Sequence, residues 1–217
     1  MPCFMILSAL FAPLIDLFFP LFCVSCKRYG DVLCNTCVTS FTLDAPKIVL
    51  NPAPSLHACI IAARYERTPV SAALRALKYE GVTLLVPCLA NALRRSLDAF
   101  PQSSNIVVPV PLHWRKKALR GFNQSSLIAQ SLAKTSSLQV SELLVRTRYT
   151  PSQTRLKRAK RLKNMTAAFR CTQKSPRDVL LLDDVTTTFA TLEDAARALK
   201  AAGARRVTAL VVAHSRD

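Results

Sequence analysis

Two adjacent aspartates and a threonine-rich bend are the residues most suited to chemistry. Residues 179–182 are apolar and lead directly into Asp183 and Asp184. The bend that follows comprises Thr186, Thr187, Thr188, Phe189, Ala190 and Thr191. A loop that enters a helix offers backbone N–H groups to a phosphate, and the carboxylates can accept hydrogen bonds from a diol or help to hold a divalent cation. We therefore expect a sugar-phosphate site here; the alternative is that the aspartates only cap the helix.

A basic loop is predicted upstream, between a strand and a helix that begins near Asn123. Residues 113–120 include Arg115, Lys116, Lys117 and Arg120, and Gly121 follows them. An arginine beside a glycine-containing turn suits the charges of a pyrophosphate. The alternative is an ordinary solvated basic loop.

Four cysteines near the amino terminus have the spacing of a metal site. Cys23 and Cys26 form one Cys-x-x-Cys pair, and Cys34 and Cys37 form another. Two such pairs complete a tetrahedral site in which protein fills every position, so the expected metal is a structural zinc. The alternative is a reactive redox pair. The other cysteines are scattered, unlike those of a secreted disulfide scaffold, so we expect a reducing compartment.

A second basic segment lies between positions 146 and 170, where acidic residues are absent. Its cations include Arg146, Arg155, Lys157, Arg158, Lys160 and Arg161. Together with a formal net charge of +17, the segment favours contact with a polyanion, and neighbouring aromatic residues suit a single strand whose bases can stack. A plain solvated segment is the alternative.

Strands alternating with helices must position these groups. We predict strands at 58–65, 105–110, 142–146, 178–182 and 206–213, and helices at 69–79, 82–100, 123–133 and 192–202. This order indicates an α/β fold with a parallel sheet, in which ligands bind beyond the carboxyl ends of the strands. Residues 41–56, with three prolines, are predicted to be a linker between a module at 1–45 and a main domain at 56–217.

The apolar amino-terminal stretch, residues 4–24, is long enough to resemble a membrane span or a signal segment. However, Asp16 lies in its middle, Pro13 and Pro20 interrupt it, and no cation precedes it. We expect a short apolar helix at 5–19 packed on the protein, no transmembrane span, and a cytoplasmic location. Membrane attachment stays open as the alternative.

The motifs together resemble one family. The aspartate–threonine stretch looks like the phosphoribosyl-pyrophosphate (PRPP) loop of type I phosphoribosyltransferases. Pro109-Val-Pro-Leu followed by Arg120-Gly-Phe-Asn-Gln, and Leu77-Lys-Tyr-x-Gly81, are similar to segments of the ComF (competence protein F) family. A four-cysteine module in the same place, and the set Gln153, Leu156, Arg158, Arg161, Asn164 and Phe169, extend the resemblance over nearly the whole chain.

The resemblance implies a type I phosphoribosyltransferase fold with an added zinc ribbon. Asp183 and Asp184 would hold the ribose of PRPP with Mg²⁺, residues 186–191 its 5′-phosphate, and Arg120 and Gly121 its pyrophosphate. Arg158 and Arg161 would lie on a mobile segment over the site.

ComF proteins are associated with natural transformation, so single-stranded DNA and competence proteins such as a helicase are expected partners. The acceptor of a phosphoribosyl group is unknown. Phe189 stands where the family usually has glycine, and this bulk makes an inactive DNA-binding module the alternative to an enzyme.

Overall fold

The computed structural model describes residues 20–42, 45–148 and 168–215. The predicted helix at 5–19 lies outside these residues. So do the basic residues Arg155, Lys157, Arg158, Lys160 and Arg161.

Helices and strands alternate along most of the described chain. The helices are α1 (Asn35–Thr42), α2 (Thr68–Arg75), α3 (Val86–Ala99), α4 (Trp114–Arg120), α5 (Gln124–Ala133) and α6 (Ala190–Ala201). A π-helical turn (Ala76–Glu80) extends α2, and a 3-10 turn (Thr83–Leu85) precedes α3. The strands are β1 (Lys47–Ala53), β2 (Leu56–Arg64), β3 (Ile106–Pro109), β4 (Gln139–Val140), β5 (Leu144–Arg146), β6 (Phe169–Cys171), β7 (Asp178–Thr186) and β8 (Arg206–His214).

The main sheet has six strands in the order β1-β2-β8-β7-β3-β4. The last five strands of this order are parallel to one another. The edge strand β1 is antiparallel to β2. The predicted α/β class with a mostly parallel sheet is therefore confirmed. β5 and β6 form a separate antiparallel pair.

Both faces of the main sheet are covered, which explains why residues 179–182 of β7 and 209–213 of β8 are continuous apolar runs. On one face a core that includes Leu74, Leu89 and Ile128 joins α2, α3 and α5 to the sheet and to the cysteine module. On the other face Leu192 and Leu199 of α6 pack with the β5–β6 pair and the sheet. The central strands are thus fixed from both sides, and so are the side chains at their ends.

Three sequence predictions need correction. Residues 41–56 are not a linker, because they contain β1. Pro52 is tolerated in this edge strand because it lies where the β1–β2 register shifts, between Leu50 and Ala53. Residues 113–120 are not a loop but the helix α4, whose amino end His113 caps and whose carboxyl end meets Gly121 at φ 83°. The strand predicted at 142–146 is shorter and lies in the small sheet.

Candidate functional site

The neighbouring strands β3 and β7 meet at the point where the chain changes direction across the sheet. From β3 the chain crosses to β4 on one side, and from β7 it crosses to β8 on the other. Such a switch point opens a crevice at the carboxyl ends of the two strands, where open α/β sheets bind ligands. Asp183 and Asp184 lie in the last part of β7, within the strand rather than after it.

The two aspartates are buried and held by hydrogen bonds from different elements. Asp183 is 9% exposed, and its Oδ1 accepts hydrogen bonds from the Ser125 hydroxyl at 3.0 Å and from the backbone N–H of Asp184 at 2.9 Å. Asp184 is 3% exposed, and its Oδ1 accepts a hydrogen bond from the backbone N–H of Val185 at 2.8 Å. Both carboxylates therefore have fixed orientations.

Lys78 supplies the counter-charge. Its ammonium lies 2.7 Å from Oδ2 of Asp184. Lys78 belongs to the π-helical turn after α2, which ends at Gly81 in the left-handed region at φ 71°. π-helical turns are rare and are frequently found at functional sites.

Arg120 brings the end of α4 to the same place. Its guanidinium donates to Oε1 of Gln124 at 2.7 Å and lies 5.7 Å from the centre of the Tyr79 ring. Gln124 and Ser125 form the first turn of α5, and Ser125 contacts Asp183. The structure thus brings together three predicted segments, around Lys78, around Arg120 and at the aspartate pair.

Burial and neighbouring charges shift the pKa values of the ionisable side chains in the crevice in different directions. Burial and the neighbouring Asp184 charge raise the pKa of Asp183 from its ordinary 3.8 to about 7. Burial opposes the charge of Lys78, but the attraction of Asp184 outweighs it and raises the pKa of Lys78. Burial, and then the charges of Arg146, Arg120 and Lys78, lower the pKa of Lys116. The crevice therefore concentrates cations around two carboxylates, as an anion site requires.

The threonine-rich bend begins in β7 and ends at α6. Thr186 is buried in the strand, Thr187 is exposed, and Thr188 and Thr191 are half-buried. The residue before α6 is Phe189, whose side chain makes no capping hydrogen bond to the amino end of the helix. Backbone N–H groups at such an end attract a phosphate.

Phe189 lies in this bend immediately before α6 and adopts the left-handed conformation, at φ 58°. Glycine adopts that conformation without strain, so the backbone has the shape that the family's glycine would favour. The phenyl ring stacks on the imidazole of His214, at 5.3 Å between centres and 14° between planes. The ring therefore packs at the carboxyl end of β8.

The four cysteines of the amino-terminal module lie close together. All four Sγ atoms are within 4.8 Å of one another, and those of Cys26 and Cys34 are 3.5 Å apart. A tetrahedral zinc site with bonds of ~2.3 Å requires sulfurs ~3.8 Å apart. The cluster therefore has a geometry that could hold a metal ion.

The thiol pKa values also favour a metal. Burial opposes ionisation of Cys23, but backbone N–H groups of Cys26, Cys34 and Ser25 lower its pKa to about 6. Burial raises the pKa of Cys37 to about 12, so this thiol keeps its proton in the absence of a cation. A bound metal supplies the positive charge that lets all four sulfurs ionise.

Sequence reasoning missed some polar groups of the crevice. Lys78 and Ser125 were not among the predicted site residues, although a lysine between Leu77 and Tyr79 on an otherwise apolar helix face is a usable signal. Ser125 carried no signal, since serine is common in a first helical turn.

Within residues 20–42, 45–148 and 168–215, the helices are all too short or too polar to cross a membrane. The structure of the apolar segment before Pro20 is outside that range.

No protein-family model matches the chain. Curated relatives do. The chain is 30% identical over 197 residues to DNA utilization protein YhgH of Escherichia coli K12, covering 85% of each chain. It is 26% identical over 171 residues to Competence protein F of Haemophilus influenzae, covering 73% of each. On these similarities, and with the motifs of the sequence, the chain belongs to the ComF family.

Proposed function

We propose that this protein binds PRPP at the crevice between β3 and β7 and acts in the uptake of DNA. The observation that carries the proposal is the convergence of Lys78, Arg120 and the pair Asp183–Asp184 at the switch point of the sheet. Carboxylates for a ribose diol and cations for a pyrophosphate then lie side by side.

Each group has a proposed role. Asp183 and Asp184 accept hydrogen bonds from the ribose hydroxyls. The residues of the bend, Thr186 to Thr191, hold the 5′-phosphate, and Arg120 with Gly121 holds the pyrophosphate. Carboxylate oxygens are ligands that Mg²⁺ prefers, so the aspartates also suit the cation that accompanies a pyrophosphate. In the free protein the ammonium of Lys78 pairs with Asp184 instead of that cation.

Phosphoribosyl transfer is the reaction that this arrangement favours. The bond between C1 of the ribose and the pyrophosphate oxygen breaks, its electron pair leaves with the pyrophosphate, and a nucleophile of the acceptor forms the new bond to C1. The chain's own contribution is to orient the ribose and to stabilise the charge of the departing pyrophosphate.

The names of the relatives refer to DNA utilization and to competence. These names support a role in DNA uptake. The proposed partner is single-stranded DNA or another competence protein, such as a helicase. The net charge of +17 suits such a partner. The cysteine cluster is proposed to hold a structural Zn²⁺, and because thiolate clusters persist in reducing compartments, the proposed location is the cytoplasm.

Isothermal titration of Mg·PRPP into the protein tests the proposal. We expect saturable binding by the wild type and its loss in Asp183→Asn/Asp184→Asn, because the amides carry no charge to hold Mg²⁺ and each offers one acceptor oxygen where a carboxylate offers two. Asp98→Asn is the matched control, since Asp98 forms an exposed pair with Arg94 on α3. Absence of binding by a folded wild type contradicts the proposal.

A single-stranded-DNA-binding module without turnover is the second candidate. It is favoured by Phe189, because this residue adds a bulky side chain at a position where glycine would let a phosphate approach the backbone closely. Pyrophosphate release that depends on PRPP and an acceptor separates the two: an enzyme releases it, and the module does not. The module also retains its salt-sensitive affinity for single strands in the double aspartate variant.

A further inference from the structure

Trp114 is the single tryptophan of the chain and it is 65% exposed. It begins α4, and its indole lies 5.5 Å from the ring of His113 and 5.2 Å from the guanidinium of Arg115. His113 is buried and accepts the backbone N–H of Arg115 through Nδ1, which fixes the start of the helix. A large aromatic ring is therefore held in solvent, where its hydration is costly.

A cleft of about 250 Å³ opens beside this ring. Its walls come from the loop after β3, from α4, from the first turn of α5 and from β5, and they include Pro111, Lys117, Leu144 and Arg146. The cleft thus combines an aromatic plane and apolar walls with cations at the sides. A planar, partly polar group fits such a cleft better than an extended apolar chain.

Glu142 determines which polar group can enter. Its Oε1 accepts a hydrogen bond from the Ser126 hydroxyl at 3.0 Å, and the amide of Asn123 donates to the Ser126 oxygen at 2.9 Å. The carboxylate is therefore oriented within the cleft lining. A negative charge repels a phosphate but accepts N–H groups, such as the amino group of cytosine or adenine.

We propose that the Trp114 cleft binds a nucleobase, stacked on the indole with its amino group directed to Glu142. The chemistry of the cleft suits a base of a single strand and a base of a free nucleotide equally. The choice of a single strand as the source of the base rests on the proposed role in DNA uptake.

The surroundings fit a nucleic-acid strand. Helix α4 contains no acidic residue and buries none of its side chains, and Arg115, Lys116 and Lys117 follow the tryptophan on it. Cations beside an aromatic platform hold phosphates while the base stacks. The cleft also shares the first turn of α5 with the aspartate pair, since Asn123 and Ser126 line the cleft and Ser125 contacts Asp183.

The indole reports directly on its own occupancy, because no other tryptophan contributes to the fluorescence. We expect a short single-stranded oligodeoxycytidine to quench the emission in a saturable way. In a parallel arm, anisotropy of a dye-labelled oligonucleotide gives the affinity of variants. Trp114→Ala should weaken binding roughly tenfold because the stacking surface is lost, and Trp114→Phe should retain most of the affinity because a phenyl ring can still stack. Glu142→Gln should reduce the preference for cytosine over thymine.

Leu119→Ala is the control on the same helix, because Leu119 is 89% exposed and does not line the cleft. Its affinity should equal that of the wild type. Cytidine monophosphate forms the third arm: quenching by it alone supports the nucleobase site and assigns it to a free nucleotide.

An oligonucleotide that binds without quenching, and equally well to Trp114→Ala, overturns the inference and leaves DNA binding elsewhere on the chain intact. Absence of any response to both ligands also overturns it. Titration with Mg·PRPP on the same preparation keeps the two questions apart, since PRPP binding can succeed when the base site fails.

Discussion

The cysteine cluster and the aspartate pair both gather acidic groups in a small space, but they neutralise them differently. The four thiols come from residues 23–37 of one local module, and their pKa values diverge from about 6 at Cys23 to about 12 at Cys37. The two carboxylates lie in β7, and their counter-charge is Lys78, which comes from a distant part of the chain.

This difference indicates that the two sites depend on a bound ligand to different extents for the neutralisation of their charges. The four cysteine Sγ atoms lie close enough together to hold a metal ion, and such an ion would supply the positive charge that the ionised thiols need. The aspartate pair already has an ammonium and several N–H and O–H donors, so the fold can form before any sugar phosphate binds. We expect the cluster to determine stability and the aspartates to determine binding.

Removal of the metal site should have the largest effect on stability. In Cys34→Ser one sulfur ligand is lost, and because Cys34 and Cys37 also belong to the core that contains α2 and α3, the module should detach from that core. Zinc binding alone is worth ~10 kcal/mol in small zinc modules, so we expect a loss of several kcal/mol and a Tm lower by about 10 °C or more. Metal analysis and thermal unfolding check this.

Cys171→Ser is the matched control for that variant. Cys171 lies on β6 and its thiol donates to the backbone oxygen of Gln173, away from the cluster. It should keep the metal and most of the stability. Equal melting temperatures for both variants would show that the cluster is not a structural site.

Removal of the counter-charge at the aspartate pair should have the next largest effect. Lys78→Met keeps the stem of the side chain but leaves Asp184, which is almost fully buried, without its cation. Breaking a buried pair in this way costs ~3–5 kcal/mol, and adding Asp184→Asn should restore much of it. Arg94→Met is the control, because its pair with Asp98 is exposed and contributes ~0.5 kcal/mol. Urea unfolding at pH 8 measures all four proteins.

If Lys78→Met were no more costly than Arg94→Met, the ammonium would not neutralise the pair. The comparison between the two sites would then fail, because the aspartates would also need a ligand.

The two sites also differ in how much of them could be predicted from sequence. The cysteine cluster follows from spacing alone, because its ligands are close in the chain and a Cys-x-x-Cys turn brings two sulfurs together. The crevice was predicted only in part. Asp183, Asp184 and Arg120 each follow from local patterns, but Lys78 and Ser125 reach them through the crossing of α2 and α5 over the sheet.

The same reasoning applies to the fold. The strands at β2, β3, β7 and β8 were predicted because parallel strands covered on both faces are continuous apolar runs. β1 was missed because an edge strand with Pro52 has no such pattern, and α4 was missed because an exposed basic helix has no apolar face. Periodicity reports burial, so elements that bury little leave no signal.

A pH titration of stability tests the free-energy cost of ionising the buried Asp183. Because its pKa is raised from 3.8 to about 7, the native state holds a proton that the unfolded state has released between these values. The free energy of unfolding should therefore fall as pH rises from about 4 to 7, through this group. Asp183→Asn can accept the same hydrogen bonds and cannot ionise, so it should be more stable than wild type by about 4 kcal/mol at pH 8, at ~1.4 kcal/mol per pKa unit.

At pH 4 that difference should disappear, since Asp183 is then neutral in the native state. Urea unfolding of both proteins at several pH values measures it, and a constant difference across the range would show that Asp183 ionises normally.

The smallest effect is expected at Phe189, at the end of the bend that follows the aspartates. Phe189→Ala loses the stacking on His214 and keeps a side chain in the left-handed region, so it should destabilise the protein. Phe189→Gly loses the same stacking but relieves a strain of ~1 kcal/mol. We therefore expect the glycine variant to be more stable than the alanine variant by about that amount, contrary to the usual order in which alanine is favoured over glycine by its smaller loss of backbone entropy. Calorimetric melting of the two variants side by side gives the sign directly. An alanine variant at least as stable as the glycine variant would mean that the bend does not hold its left-handed shape in solution, and the phosphate-binding role proposed for that shape would lose its structural basis.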